Sequence, residues 1–239
     1  MPKLTIFTPA YNRVHTLPRT YKSLLRQSCK DFLWLIVDDG STDGTTELVH
    51  QWQTQDNGFE IQYIHKDNGG LHTAYNTAIA ELSTELATCI DSDDWLVDEA
   101  VEKILLKWTS DGNEHLAGIE ALDCYADGEI IGDLLPNQET INLIDLYVGK
   151  YHIKNGDRKP VVRSDLYKSV APMPTLNGEK NFNPHYMHLQ ISLKYDFLVM
   201  NEPVCYVEYQ PDGMSQNIFK QYFDSPNSFA QLRRLCMQF

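Results

Sequence analysis

The chain has 239 residues, of which 42% are hydrophobic and 22% charged, and 20 Lys plus Arg against 33 Asp plus Glu leave a net charge of −13. That length admits one large domain with a substantial core, and the composition excludes a disordered chain. The negative exterior repels phosphate backbones, so no nucleic-acid partner is expected; with no apolar run of membrane-spanning length and no basic, cleavable leader, a cytoplasmic protein is expected.

Residues 4–8 form a β-type run, and residues 17–27 place Leu17, Tyr21, Leu24 and Leu25 at helical spacing. Residues 32–37 are a second apolar run, followed by Ser41 and Asp43 as N-cap candidates for a helix carrying Leu48, Val49 and Trp52. The pattern then predicts a strand over 59–65, a helix over 71–82, a strand over 86–90 and a helix over 97–108. Such alternation implies a mostly parallel sheet covered by helices on both faces, with ligands bound beyond the carboxyl ends of the strands. Past residue 110 the rhythm weakens. A hairpin is expected over 116–125 and 129–131 around Asp127-Gly128, and a short helix over 141–148. Residues 151–190, with Lys154, Arg158, Lys159, Arg163, Glu179 and several prolines, read as loops that complete a site. Strands over 197–208, a turn-rich loop over 210–217 and one or two terminal helices follow. Five scattered cysteines without a CxxC pair suggest neither a disulfide framework nor a zinc site.

The predicted strand ends carry the chemistry. Asp91, Asp93 and Asp94 crowd three carboxylates into four residues. Two unit charges 4 Å apart repel by roughly 1 kcal/mol in water and about 4 kcal/mol at an effective dielectric of 20, so a compact site needs a counter-cation or a bound proton. A hard divalent ion such as Mg²⁺ satisfies that need with one or two carboxylates plus water and phosphate oxygens, whereas a helix cap by Ser92, Asp93 or Asp94 is the simpler alternative. Asp38 and Asp39 follow the second run; turn chemistry explains Gly40 and Ser41 but not paired carboxylates, which are suited to accept hydrogen bonds from a ligand. Thr8, Pro9, Ala10 and Tyr11 end the first strand with a rigid bend and a ring suited to stack on a flat base.

Taken together, Thr8-Pro9-Ala10-Tyr11-Asn12-Arg13, Val37-Asp38-Asp39-Gly40-Ser41-Thr42-Asp43, Asn68-Gly69-Gly70 and Asp91-Ser92-Asp93-Asp94 resemble the family 2 glycosyltransferases of the GT-A fold, and the stretch from Asn201 to Ser215 resembles bacterial surface-polysaccharide members. The resemblance implies a Rossmann-type three-layer α/β/α fold with a mostly parallel sheet, a mixed acceptor-side region and a helical C-terminal tail. It implies one domain over 1–239, with a nucleotide-sugar half (1–110), an acceptor half (111–218) and a tail (219–239). It further implies an inverting transfer from a UDP-sugar donor to a carbohydrate or lipid-linked saccharide acceptor, with Mg²⁺ or Mn²⁺. On this resemblance Thr8, Pro9 and Tyr11 border base and ribose, Asp39 accepts the uracil N3–H, Asn68 and His72 line the nucleotide pocket, Asp91 lies near the ribose, and Asp93, or Asp94 in its place, meets the metal.

The chain departs from the family pattern at the general base. Related members often carry an acidic residue shortly after Gly-Glu-Lys, whereas here Gly178-Glu179-Lys180-Asn181-Phe182-Asn183-Pro184-His185 puts a histidine at that place. His185, whose ordinary pKa suits a base, and Glu179 are the two candidates; a base lost or moved elsewhere is the third. A missing base also keeps open a non-catalytic nucleotide-sugar-binding partner of another transferase. A sugar nucleotidyltransferase is the other alternative, although Pro9-Ala10-Tyr11-Asn12-Arg13 stands where its Gly-rich phosphate loop belongs. Lys154, Arg158 and Arg163 are candidates to meet phosphate or an acidic acceptor, and Asp212-Gly213-Met214-Ser215 has the composition of a lid. In the tail, Arg233 and Arg234 beside Leu232 and Leu235 are compatible with a peripheral membrane contact, but two charges favour packing on the body or in a homodimer.

Overall fold

The computed structural model describes residues 2–210 and 217–238. Within them nine strands build one mixed sheet: β1 (Leu4–Ala10), β2 (Phe32–Asp38), β3 (Glu60–His65), β4 (Leu86–Cys89), β5 (Trp95–Leu96), β6 (Leu116–Cys124), β7 (Thr140–Ile141), β8 (Arg158–Arg163) and β9 (Asp196–Tyr206). Their order is β3-β2-β1-β4-β8-β6-β9-β5, with β7 also paired to β9. The helices are α1 (Leu17–Arg26), α2 (Thr45–Gln53), α3 (Leu71–Glu81), α4 (Ala100–Asp111), α5 (Leu143–Tyr147), α6 (Ser164–Val170), α7 (His185–Ser192), α8 (Ile218–Asp224) and α9 (Pro226–Cys236).

β1 to β4 are mutually parallel, and β1 and β2 are buried at every position, which is why both read as continuous apolar runs rather than alternating ones. One core joins Phe7, Leu35 and Val37 to α3, α5, α6 and α7. The other joins Leu4, Ile6 and Trp34 to α1, α2 and α4, with Tyr21 stacked on Trp52 at 4.3 Å between ring centroids. Helices on both faces give the three layers expected.

The structure changes several local readings. Helix α2 starts from Gly44 in the left-handed region, not from Ser41 or Asp43. Ser41 Oγ binds the loop after β1, accepting from the Asn12 N–H at 2.8 Å, and Asp43 binds both that loop and the helix: Oδ2 accepts from the Val14 N–H at 3.0 Å and Oδ1 from the N–H of Thr45, the first residue of α2, at 3.0 Å. Helix α4 begins three residues later than expected because Trp95 and Leu96 pair with Tyr206 and Cys205 of β9. The return limb of the expected hairpin is a single bridge between Cys124 and Ile130. The largest difference lies in 151–190, expected as loops. It contains β8, which sits in the middle of the sheet, antiparallel to both β4 and β6, and also α6 and α7. Its sequence Arg-Lys-Pro-Val-Val-Arg hides the strand, since a proline and three cations suppress the apolar signal. In the tail, Leu232 and Leu235 of α9 enter the core, so the tail packs on the body, while Phe219 and Phe223 of α8 are 76% and 85% exposed. No helix among the described residues is long and apolar enough to cross a membrane. The lid expected at Asp212 to Ser215 lies outside the described residues.

Candidate active site

A cavity of about 860 Å³ opens at the carboxyl edge of β1, β2, β4, β6 and β9, where the amino end of the antiparallel β8 also arrives. Pro9, Tyr11, Asp39, Asn68, Asp91, Asp93, Asp94 and His185 all line it. Strand direction alone brings these residues, spread over 177 positions of sequence, to one edge.

Asp39 organises the nucleotide side. Its Oδ1 accepts from Lys66 Nζ at 2.5 Å and the Gly69 N–H at 3.0 Å, and its Oδ2 from the Gly70 N–H at 2.7 Å and Asn68 Nδ2 at 3.1 Å. The carboxylate therefore holds the loop between β3 and α3. Gly70 is required there: its φ is +95°, and a Cβ would collide with the Lys180 carbonyl. That close approach lets Lys180 Nζ donate to Asn68 Oδ1 at 2.5 Å, so a cation from the second half of the chain reaches the nucleotide side. Tyr11 stands 49% exposed at the rim, its ring available for stacking.

Thr8, His72, Asp38 and Glu179, all singled out from the sequence, do not line the cavity. Thr8 is fully buried on the β1 face shared with Leu4 and Ile6, and its Oγ1 accepts from Trp34 Nε1 at 3.0 Å. His72, the second residue of α3, is turned inward against Phe182, and burial pushes its pKa down. Asp38 is consumed by its own turn: Oδ1 accepts from the Ser41 N–H at 2.7 Å and Oδ2 from Tyr63 Oη at 2.5 Å. Burial opposes its charge, but those bonds win and hold its pKa below the usual range. Glu179 is the fourth. Its Oε1 accepts from the Asn227 N–H at 3.0 Å and Nδ2 at 2.8 Å, and its Oε2 from the Ser228 N–H at 2.8 Å and Oγ at 2.5 Å. Burial would raise its pKa, yet these four donors at the start of α9 bring it down to about 2. A carboxylate so bound is a helix cap and a poor proton acceptor, which argues against Glu179 as the base.

The three carboxylates after β4 divide. Asp94 is buried and faces Lys159, its Oδ2 3.9 Å from Nζ. Burial pushes its pKa well up against the pull of Lys159, and this internal partner, shared with Asp123, argues against the metal role considered for it. Asp91 and Asp93 remain. Burial, then the neighbouring Asp91, push the Asp93 pKa up, and Arg13 and Arg19 only partly reverse this. A carboxylate held in an unfavourable field beside a second carboxylate fits a hard divalent ion, which relieves both. No closed group of three or more metal-ligating side chains occurs among the described residues, and Mg²⁺ characteristically binds through one or two carboxylates, substrate oxygens and water.

The acceptor half adds groups that sequence reasoning missed. On β6, Glu120 and Asp123 are 3% and 1% exposed, and both line the cavity. Lys159 Nζ lies 3.5 Å from Asp123 Oδ2, joining Asp94, Lys159 and Asp123 into one buried chain of charges. Burial pushes Asp123 up to about 6 against the pull of Lys159, and Glu120 up to about 8 against Arg158. The available signal was an acidic residue at two places within the apolar run Leu116–Cys124, where an unpaired charge is costly.

His185 opens α7 and faces the cavity, its ring 5.1 Å from that of Tyr147 and 5.8 Å from that of His188. Burial pushes His185 down to about 4, so it is neutral at pH 7. His188 Nε2 is hydrogen-bonded to Tyr167 Oη at 2.8 Å. Of the other cations, Arg158 lines the cavity but spends its Nη1 on the Ile131 carbonyl at 2.6 Å; Arg163 pairs with Asp165 at 2.6 Å, and Lys154 lies outside the lining. Arg13 and Lys180 are further lining cations.

Comparisons with known proteins agree with this geometry. Residues 5–131, 127 of the 239, match the family model described as Glycosyl transferase family 2. A Campylobacter jejuni protein, GalNAc(5)-diNAcBac-PP-undecaprenol beta-1,3-glucosyltransferase, is 32% identical over 120 residues, covering 49% of this chain and 38% of that protein. The matches to curated relatives span 11 to 41% of those proteins' lengths. Among solved structures, S. aureus TarS 1-349 in complex with UDP-GlcNAc superposes with a TM-score of 0.72 at 18% identity, covering 98% of this chain and 65% of that one. Mannosyltransferase PcManGT from Pyrobaculum calidifontis, in complex with GDP-Man and Mn²⁺, gives 0.70 at 18% identity, covering 98% and 64%.

Proposed function

Because this chain belongs to glycosyl transferase family 2, we propose that it transfers a hexosyl or N-acetylhexosaminyl group, with inversion, from a UDP-sugar to a carbohydrate or lipid-linked saccharide acceptor in surface-glycan synthesis. The observation that carries this reading is the convergence of Tyr11, Asp39, Asn68, Asp91 and Asp93 on one cavity at the strand ends. A fold neighbour bound to UDP-GlcNAc supports the donor class, and a relative named for a PP-undecaprenol glycan supports a lipid-linked acceptor.

In this reading Pro9 and Tyr11 border the base, Asp39 and Asn68 meet the uracil edge, and Asp91 meets the ribose hydroxyls. Asp39 already accepts four protein hydrogen bonds, so its position is set before the nucleotide arrives, and the uracil N3–H takes the place of one of those donors when it binds. Arg13 and Lys180 face the diphosphate charge. Asp93, with Asp91 beside it, would hold Mg²⁺ or Mn²⁺, and a neighbour with bound Mn²⁺ supports that assignment. A divalent ion there supplies Lewis-acid stabilisation of the departing diphosphate. His185, neutral and on the cavity wall, takes the proton from the attacking acceptor hydroxyl.

The test is UDP release from a panel of UDP-, GDP- and dTDP-sugars with Mn²⁺, with and without saccharide acceptors. Acceptor-stimulated UDP release supports the reading. Pyrophosphate release would indicate a nucleotidyltransferase, and donor binding without turnover a silent partner. Replacement of His185 by Ala is expected to lower transfer by about 100-fold or more while UDP affinity stays within twofold; unchanged transfer would remove His185 as the base.

A further inference from the structure

The cavity also has a lobe lined by helices α5, α6 and α7. Leu143, Leu146 and Tyr147 of α5, Tyr167 of α6, His188 of α7 and Pro160 of β8 contribute to its lining, and Glu120 lines the same cavity from β6. The strand register puts Glu120 opposite Pro160. Glu120 is 97% buried by its 3% exposure, yet its Oε2 has no hydrogen-bond partner, and the Nε of Arg158, two residues before Pro160 on β8, is also buried without one. Unpaired polar atoms of this kind are costly to bury. With Asp123 Oδ1, also buried without a partner, three such atoms belong to residues that line this cavity, which fits a place where a ligand completes the hydrogen bonding.

We propose that this lobe receives the transferred sugar and that Glu120 is a specificity-determining residue that hydrogen-bonds its hydroxyl groups; the proposal rests on the UDP-sugar reading above. Three observations point to a sugar ring. The lobe combines aromatic and aliphatic walls, which suit the apolar face of a pyranose, with a few convergent polar groups at its base. It belongs to the same cavity as the diphosphate side, since Asp91, Asp93 and Glu120 all line it. A group joined to the diphosphate therefore lies in the cavity that Glu120 lines. Burial also keeps the Glu120 carboxyl protonated at neutral pH, with a pKa pushed up to about 8, so it both donates and accepts a hydrogen bond. A hydroxyl requires the same pairing of donor and acceptor.

The test compares Kd for UDP with Kd for UDP-Glc, UDP-Gal, UDP-GlcNAc and UDP-GalNAc, all with Mn²⁺, for the full chain and for Glu120→Gln and Glu120→Ala. Glu120→Ala is expected to raise the ratio of Kd for the preferred UDP-sugar to Kd for UDP by about tenfold, the equivalent of 1.4 kcal/mol. Glu120→Gln, which keeps a donor and an acceptor, is expected to restore the ratio to within threefold of the parent. If Glu120→Ala does not fold, Tyr167→Phe, which removes one lobe hydroxyl, is read in the same way. Ratios unchanged within twofold for every donor, or a change confined to the acceptor KM, would overturn the assignment. Failure of the parent chain to bind UDP at all would instead overturn the UDP-sugar reading itself.

Discussion

The two halves of the chain hold their polar groups in different ways. In residues 4–111 strands β1 and β2 are buried through their length, and the carboxylates Asp39, Asp91 and Asp93 stand where strands stop. In the second half Glu120, Asp123 and Lys159 lie inside strands β6 and β8, buried in the middle of the sheet. Strand-end groups draw on nearby loop backbone, as Asp39 does on the Gly69 and Gly70 N–H groups. Groups within a strand draw on partners from distant segments, as Asp123 does on Lys159, and each such pairing is a point of vulnerability.

The comparison breaks first at Asp93. Its replacement by Asn is expected to lower Mn²⁺-dependent UDP release by about 100-fold or more while the thermal midpoint stays near that of the parent, since a strand-end carboxylate serves the site and not the fold; a large fall in midpoint would contradict the distinction. Next is Lys159→Met, which leaves Asp94 and Asp123 buried without their cation. Urea unfolding is expected to show a loss of about 3–5 kcal/mol, whereas Lys66→Met, which removes a partner of Asp39 at the loop, should lose clearly less.

Acidity sharpens the contrast further. Folded Glu120 keeps its proton up to about pH 8 while the unfolded chain releases it near 4.5, so the native state binds more protons in that window and loses stability as pH rises through it. The slope from this one group is at most about 1.4 kcal/mol per pH unit, and Glu120→Gln should flatten it in urea titrations between pH 5 and 8. Glu179 acts in the opposite sense. Its folded pKa of about 2 lies below the ordinary 4.5, so its contribution is complete above pH 4.5 and is lost as pH falls towards 2. The smallest effect is expected from Glu179→Ala, a loss of about 1 kcal/mol from the uncapped α9 with kcat within twofold of the parent; a collapse of kcat at unchanged KM would return Glu179 to catalysis.

Legibility follows the same division. Apolar runs buried on both faces mark β1, β2 and β4 in the sequence, and the parallel-sheet rule puts Tyr11, Asp39, Asn68, Asp91 and Asp93 at one edge, where they line the cavity. What the sequence could not show was side-chain direction: Thr8 alternates to the interior face, His72 turns into the core, and Asp38 closes its own turn. In the second half the signal itself was masked. Strand β8 was hidden because its buried lysine is matched by acids from β6 and the segment after β4, which are distant in sequence. Glu179 looked catalytic because its partners, Asn227 and Ser228, lie 48 and 49 residues away.

The central claim, that strand-end carboxylates and a nucleotide diphosphate share one divalent ion, is tested most directly by the electron paramagnetic resonance signal of free Mn²⁺. Titration of the chain together with UDP is expected to remove that signal stoichiometrically, and Asp93→Asn to restore it. A signal indifferent to protein and UDP together, or removed equally by the Asp93→Asn chain, would contradict the account.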